Sequence, residues 1–329
     1  MQACVKEAKK KLVVKNVQIP VRIEDDDVLI KISKVGICGS DLHLWHLEDR
    51  IGLIMGHEFC GVVVEPGASI FKAGERVAVI PKGPRGYQST PGVLADGAYA
   101  EYFMAAAKYV TRIPDDIDDC EASMIEPCGI AYKAAKKAAI QLGDKVLVEG
   151  AGIIGLLAAA WAKAMGAAYV ALTEVNPQRL QAARDLTDAD AVFDSKNPNI
   201  GDELLKASHG GFDKVIECTA VSSAVNLGLD MLKPGGKMIF VGVTYNHVPI
   251  NALKLVMKEL VIEGIFGSSV VFEEVIEILS QQIFNLKKYI SKEIGLEDIQ
   301  QTFEELEQGD SGYIKVVISP QLTFEDNEA

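Results

Sequence analysis

The segment VLVEGAGIIGLL at 146–157 constrains the fold of this chain more than any other. Gly150, Gly152 and Gly155 form G-x-G-x-x-G directly after an apolar strand-like run and at the opening of a helix-like one. Gly150 permits a tight turn, and Gly152 lets a pyrophosphate approach the backbone. Gly155 lets helix and strand pack closely, and the helix N-terminus faces the phosphates. The motif alone is weak, but Glu174 stands 19 residues after Gly155, at the end of the next strand-like run. Its carboxylate is placed to bind the adenine-ribose hydroxyls. A carboxylate there repels a 2′-phosphate, so the sequence predicts NAD rather than NADP. The competing reading is a glycine turn in an α/β core beside an unrelated glutamate.

The surroundings agree with a dinucleotide site. A helical stretch, AYKAAKKAAIQL (131–142), leads into KVLVE (145–149). Strand-like runs YVALTE (169–174), AVFD (191–194), DKVIECT (213–219) and KMIFVGV (237–243) follow, with helical segments between them. Alternating strands and helices predict a parallel sheet with crossover helices. The first hundred or so residues differ. VLIKISKV (28–35), FCGVVVEP (59–66) and ERVAVIP (75–81) are separated by Gly and Pro turns, the pattern of a small barrel, and 81–97 reads as a loop. After about 268, amphipathic helices at 272–284 and 296–307 precede a strand at 313–319 and an acidic, frayed tail.

At 329 residues the chain is long enough for two domains. A hydrophobic share of 49% and a charged share of 24% are those of a soluble globular protein. The net charge of −13 argues against a nucleic-acid surface. The longest apolar run, Ala151 to Ala162, is too short to span a bilayer, and no secretory signal is evident. Six cysteines without framework spacing read as free thiols or metal ligands in a cytoplasmic protein.

GICGSDLHLWH (36–46) packs Cys38, Ser40, Asp41, His43 and His46 into one short stretch. His57 and Glu58 follow in GHE, and Glu126 lies in MIEPCG (124–129). Taken singly each is unremarkable, since a buried cysteine behaves as a small hydrophobe. Together, thiolate, imidazole and carboxylate are zinc ligands, and three protein ligands with one open position make a catalytic site.

These segments resemble the zinc-dependent medium-chain alcohol dehydrogenases, and within them the sorbitol (polyol) dehydrogenase group. CGSDLH, GHE, GERVAV, GAYAEYF, IEP, GAGIIG, LKPGGKMIFVGV and YIKVVI carry the resemblance over nearly the whole chain. It implies an α/β protein with a GroES-like β-rich catalytic domain made from both chain ends (1–121 and 268–329). A Rossmann NAD-binding domain, a doubly wound parallel sheet, would occupy 122–267.

The resemblance also implies one catalytic zinc, held by Cys38, His57 and an acidic third ligand. In polyol dehydrogenases the glutamate of IEP, here Glu126, takes the third role directly or through water. In the classical alcohol dehydrogenases a nearby cysteine does, and Cys128 is the alternative. Glu58 is either a ligand or a group that tunes the zinc. Ser40 would contact the substrate oxygen, and His43 would pass the proton to solvent through the cofactor ribose. Ile154 would lie at the phosphate turn, with Glu174 and Arg179 at the adenosine ribose. Val241, Val243, Ile265 and Phe266 would flank the nicotinamide. Zinc lowers the pKa of a bound water from about 16 to about 7 and acts likewise on an alcohol, whose carbon then delivers hydride to the nicotinamide.

Two departures matter. The stretch between Ile80 and Tyr99 is short and has no cysteine, so the four-cysteine lobe of a structural zinc is not expected. Leu44 and Gly267 stand where sorbitol dehydrogenase has a tyrosine and an arginine that hold the polyol chain. The expected substrate is therefore a small hydroxylated molecule: a polyol, cyclitol, sugar derivative or amino alcohol. Lys82 and Arg85, on the shortened loop, read first as solvated loop charges, with approach to an anionic substrate as the alternative. A homo-oligomer, dimer or tetramer, is expected. The alternatives are a threonine- or butanediol-type dehydrogenase, a zinc-free NAD(P)H-dependent reductase of the same fold, and a non-enzymatic dinucleotide-binding protein.

Overall fold

The structure is a computed structural model that describes residues 1–82, 89–309 and 311–321. Arg85 and the tail from 322 onward lie outside the described residues. The chain divides into two units, Met1–Glu126 with Phe272–Ala329, and Pro127–Val271.

The first unit opens with an antiparallel hairpin of β1 (Gln2–Ala8) and β2 (Lys11–Asn16). Then come β3 (Val28–Gly36), helix α1 (Gly39–Trp45), β4 (Glu58–Glu65), β5 (Arg76–Val79), β6 (Tyr102–Ala105), β7 (Val110–Arg112) and the single turn α2 (Asp119–Ala122). Helix α3 (Ile125–Ala138) carries the chain into the second unit.

There β8 (Lys145–Glu149), α4 (Ile153–Ala164), β9 (Tyr169–Glu174), α5 (Pro177–Leu186) and β10 (Ala191–Asp194) are followed by α6 (Ile200–Ala207) and β11 (Phe212–Glu217). Helix α7 (Ser222–Met231), β12 (Leu232–Phe240), α8 (Ala252–Lys258) and β13 (Val261–Gly264) complete it. The chain returns to the first unit as α9 (Phe272–Leu279), β14 (Ile290–Ile294), α10 (Ile299–Gln308) and β15 (Lys315–Ile318).

In the first unit one sheet runs β14-β15-β3-β4-β5-β7, with β6 also paired to β3. Its core gathers Ile30, Ile32, Trp45, Met55, Tyr99 and Phe303. The antiparallel register of β15 sets Val317 opposite Gly36 and Ile318 opposite Val35. The last strand thus flanks the segment that leads into Cys38.

In the second unit the order is β10-β9-β8-β11-β12-β13, all parallel. Apolar runs such as VLV and VALT are buried on both faces, as a helix-covered parallel sheet requires. The strand order reverses between β8 and β11, where open sheets of this kind bind ligands at their carboxyl ends.

Some boundaries differ from the sequence reading. The helix at 272 stops at Leu279, and Gln282 just beyond takes a positive φ of 55°. KMIFVGV leaves the ladder after Phe240, because the Val241 and Gly242 N–H groups both turn to the Glu217 carbonyl, at 2.9 and 3.1 Å. Among the described residues no helix is long and apolar enough to cross a membrane.

Candidate active site

Cys38 is the N-cap of α1, and the same helix carries Ser40, half-buried, and His43, exposed. Asp41 organises this corner from a fully buried position. Its Oδ2 accepts from the Cys38 N–H at 2.9 Å and from the Tyr99 hydroxyl at 2.7 Å. Its Oδ1 lies 3.5 Å from His57 Nδ1, and neither of those two atoms makes a hydrogen bond at that separation.

Burial pulls the His57 imidazole down, but the charges of Asp41 and Cys38 outweigh it and its pKa is raised. Burial and then Asp41 push the Tyr99 phenol well up, so it remains a donor. Gly56 has φ +89°, and a Cβ there would lie 2.4 Å from the Tyr99 ring. The glycine of GHE is therefore what lets Tyr99 pass beneath the backbone that presents His57.

Glu58 begins β4, and its carboxylate accepts from Lys315 Nζ in an ion pair buried on both sides. Lys315 also donates to the Ile37 carbonyl at 2.9 Å. One ligand atom each from Cys38, His57 and Glu58 lies within 4.8 Å of the others. With Nδ1 turned to Asp41, Nε2 is the imidazole nitrogen left for a metal. Thiolate, imidazole and carboxylate form a set that suits zinc, so the residues fit the ion.

Glu126 lies outside this group, buried in the first turn of α3. Cys128 is fully buried, and burial pushes its thiol up to about 12. His46 is exposed, with its Nε2 3.1 Å from Glu307. Tyr99 and Lys315 are the two contributors that sequence reasoning did not assign. The only signal for Lys315 was a lysine inside the otherwise apolar run YIKVVI.

In the second unit Gly150 takes φ +96°, and its N–H donates to the Thr173 carbonyl at 2.9 Å. A Cβ on Gly155 would lie 1.8 Å from the Gly150 carbonyl oxygen, whereas one on Gly152 would meet nothing within 4 Å. Glu174 Oε2 accepts from the Ala151 N–H at 2.9 Å, and Oε1 accepts from Val175 and Asn176 at 2.8 and 3.0 Å. The glutamate thus clamps the glycine turn to the end of its own strand. Ile154 and Arg179 sit half-buried in the first turns of α4 and α5. Val241 and Val243 follow β12, and Ile265 and Phe266 follow β13. All these positions belong to the carboxyl-end rim of one parallel sheet.

Beneath that rim Glu149 and Glu217 are register partners on β8 and β11, and both are buried. Glu217 Oε1 accepts from the Thr219 and Ala220 N–H groups, at 2.7 and 2.8 Å, and from the Thr219 hydroxyl. Neither carboxyl oxygen of Glu149 has a hydrogen-bond partner. Burial, then the Glu217 charge, push Glu149 well above the usual carboxyl range; burial raises Glu217 too, but the hydrogen bonds from Thr219 and Ala220 oppose that rise.

A glycine-turn parallel sheet in one unit and a thiolate–imidazole–carboxylate cluster in the other define a metal-type dinucleotide oxidoreductase. Residues 24–115 match the alcohol dehydrogenase GroES-like domain, and residues 154–281 match the zinc-binding dehydrogenase family. The chain is 34% identical to an L-threonine 3-dehydrogenase of Shewanella baltica over 89% of its length and 92% of the relative's. It is 31% identical to a sorbitol dehydrogenase of Bacillus subtilis over 97% of both.

Among solved structures, 2R,3R-butanediol dehydrogenase of Bacillus subtilis superposes with a TM-score of 0.88 at 26% identity, over 97% of this chain and 99% of that one. A zinc-binding dehydrogenase of Sinorhizobium meliloti, solved with NADP, gives 0.85 at 28% identity over the same shares. The chain belongs to the zinc-dependent medium-chain alcohol dehydrogenase family and is an oxidoreductase of that kind.

Proposed function

We propose that the protein is a zinc-dependent NAD(H) dehydrogenase that interconverts a secondary alcohol of a polyol, cyclitol or sugar derivative with its ketone. The observation that carries this reading is the approach of Cys38, His57 and Glu58 to within 4.8 Å. Cys38, His57 and one carboxylate would hold one zinc per chain, the carboxylate being Glu58 or, directly or through water, Glu126, which leaves one position open for the substrate hydroxyl. Zinc would supply Lewis-acid activation of the substrate hydroxyl, and NAD would supply the hydride acceptor.

The chain's own residues do the rest. Asp41 places its carboxylate charge beside His57 Nδ1, and Lys315 holds the Glu58 carboxylate. Ser40 contacts the substrate hydroxyl and takes its proton onward to His43, which is exposed and gives it to solvent. The ketone and NADH leave together with that proton, so atoms and charge balance.

Glu174 supports NAD over NADP, because a carboxylate beside the glycine turn opposes a 2′-phosphate. Arg179 at the start of α5 supports the same ribose, while Val241, Val243, Ile265 and Phe266 line the nicotinamide side. A homo-oligomer is supported by the open edge of the parallel sheet at β13, beside exposed Leu253, Val256, Met257 and Val261. Six free cysteines support a cytoplasmic location.

Substrate is the narrower question. Leu44 is buried in the core and offers no hydroxyl, and Gly267 takes φ +66°, a backbone that disfavours an arginine. Sorbitol is thus a poor candidate, and the threonine-dehydrogenase relative makes an amino alcohol the second class. The test is NADH formation from NAD over polyols, cyclitols, sugar acids, sugar phosphates and amino alcohols, before and after chelation. A chelator-sensitive signal is expected, and a chelator-resistant one would overturn the zinc assignment.

A further inference from the structure

Helix α3 docks the segment that follows β13, and two of its residues, one turn apart, make the contact. A Cβ on Gly129 would lie 2.9 Å from the Ser268 Cβ, so the absence of a side chain is what lets the two backbones approach. Four residues on, on the same helix face, Lys133 Nζ donates to the Phe266 carbonyl at 2.8 Å and to the Gly267 carbonyl at 2.9 Å. Two consecutive carbonyls can converge on one ammonium only where the chain turns, and Gly267 supplies the turn with φ +66°. Phe266, held from behind in this way, presents a 65%-exposed side chain.

We infer that Lys133 is a positioning residue for the nicotinamide end of the cofactor. This inference rests on the proposed reading of Ile265–Phe266 as the nicotinamide-flanking segment. The ammonium fixes the backbone at 266–267, and that backbone sets where the Ile265 and Phe266 side chains stand. Lys133 need not touch the cofactor. Its effect should fall on the nicotinamide half alone, because the glycine turn, Glu174 and Arg179 lie on other strand ends and make no contact with the Lys133 ammonium.

The experiment compares NADH with ADP-ribose, which lacks the nicotinamide and keeps everything else that the turn binds. Affinities are measured by calorimetry for the full chain, for Lys133→Met and for Lys133→Arg. Lys133→Met should weaken NADH by about tenfold, because the 266–267 backbone loses the ammonium that holds it. ADP-ribose should stay within about twofold, which also reports that the unit is folded, and Lys133→Arg should recover most of the NADH affinity. Gly129→Ala pushes on the same segment by steric contact and should give the same split between the ligands. Equal weakening of both ligands, or unchanged NADH affinity in Lys133→Met, overturns the inference. If the unaltered chain binds neither ligand, the cofactor reading itself falls, and this inference falls with it.

Discussion

Asp41 Oδ1 faces His57 Nδ1 at 3.5 Å, while its other oxygen is held by the Cys38 N–H and the Tyr99 hydroxyl. One carboxylate therefore holds the turn that carries the thiol and places its charge against the imidazole. Asp41→Asn keeps the shape and removes the charge. It should lower zinc affinity by roughly 10- to 100-fold, the usual cost of altering a group behind a metal ligand. Competition with a chromogenic chelator measures this, and zinc affinity within threefold of the unaltered chain would sink the role.

Lys315 and Glu58 form an ion pair from which water is excluded. Lys315→Met leaves the carboxylate buried without its cation and should destabilise the first unit by about 3–5 kcal/mol in urea unfolding. Lys315→Met with Glu58→Gln removes both charges and should recover part of that loss. If the single and double variants are equally unstable, the pair is not what the lysine contributes.

Much of the fold was legible in the sequence, and the reason is local. YVALTE and KVLVE are unbroken apolar runs, which only a sheet covered on both faces can bury, and β9 and β8 occupy those residues. The β1–β2 hairpin was not legible, because Lys6 interrupts its pattern. Lys6 is nevertheless buried, donating to the Leu47 and Asp49 carbonyls at 2.7 and 2.5 Å. At the site, donor chemistry marked Cys38 and His57. Lys315 was invisible because its meeting with Glu58 depends on the register of β15 against β3, which neither strand encodes alone. The Glu174 clamp on Ala151 was hidden for the same reason.

Gly152 and Gly155 separate binding from folding. Gly152 has an ordinary φ of −72°, and an added Cβ meets only open space. Gly152→Ala should melt within about 2 °C of the unaltered chain, the scale of a surface change, yet lose at least tenfold in NADH affinity by blocking the pyrophosphate. Gly155→Ala, driven into the Gly150 carbonyl, should lose stability as well. If Gly152→Ala binds NADH normally, the turn is not the phosphate site.

Glu149 gives a pH dependence whose sign is fixed. Its folded pKa lies above the unfolded one, for burial and the Glu217 charge both raise it. The folded state therefore holds the proton more tightly, and stability falls as pH rises from about 4.3, the unfolded value, toward the raised folded one. Glu149→Gln mimics the neutral acid. Its melting temperature should decline less than that of the unaltered chain as pH rises above about 4.3. Parallel profiles would mean that Glu149 does not hold the proton.

The metal corner is stitched from two stretches of chain separated by the whole dinucleotide unit. On the ribosome Cys38, His57 and Glu58 emerge early, but Lys315 and the strand that flanks β3 emerge only after every residue of the sheet between them. At typical elongation rates the delay from the end of that sheet is a few seconds. For that interval the Glu58 carboxylate has no cation beside it, and the Val35–Gly36 end of β3 lacks the strand that will pair with it. The nucleotide half is complete while the other half still waits for its last strand, so the buried partner of Glu58 is among the last groups to arrive in the protein's assembly.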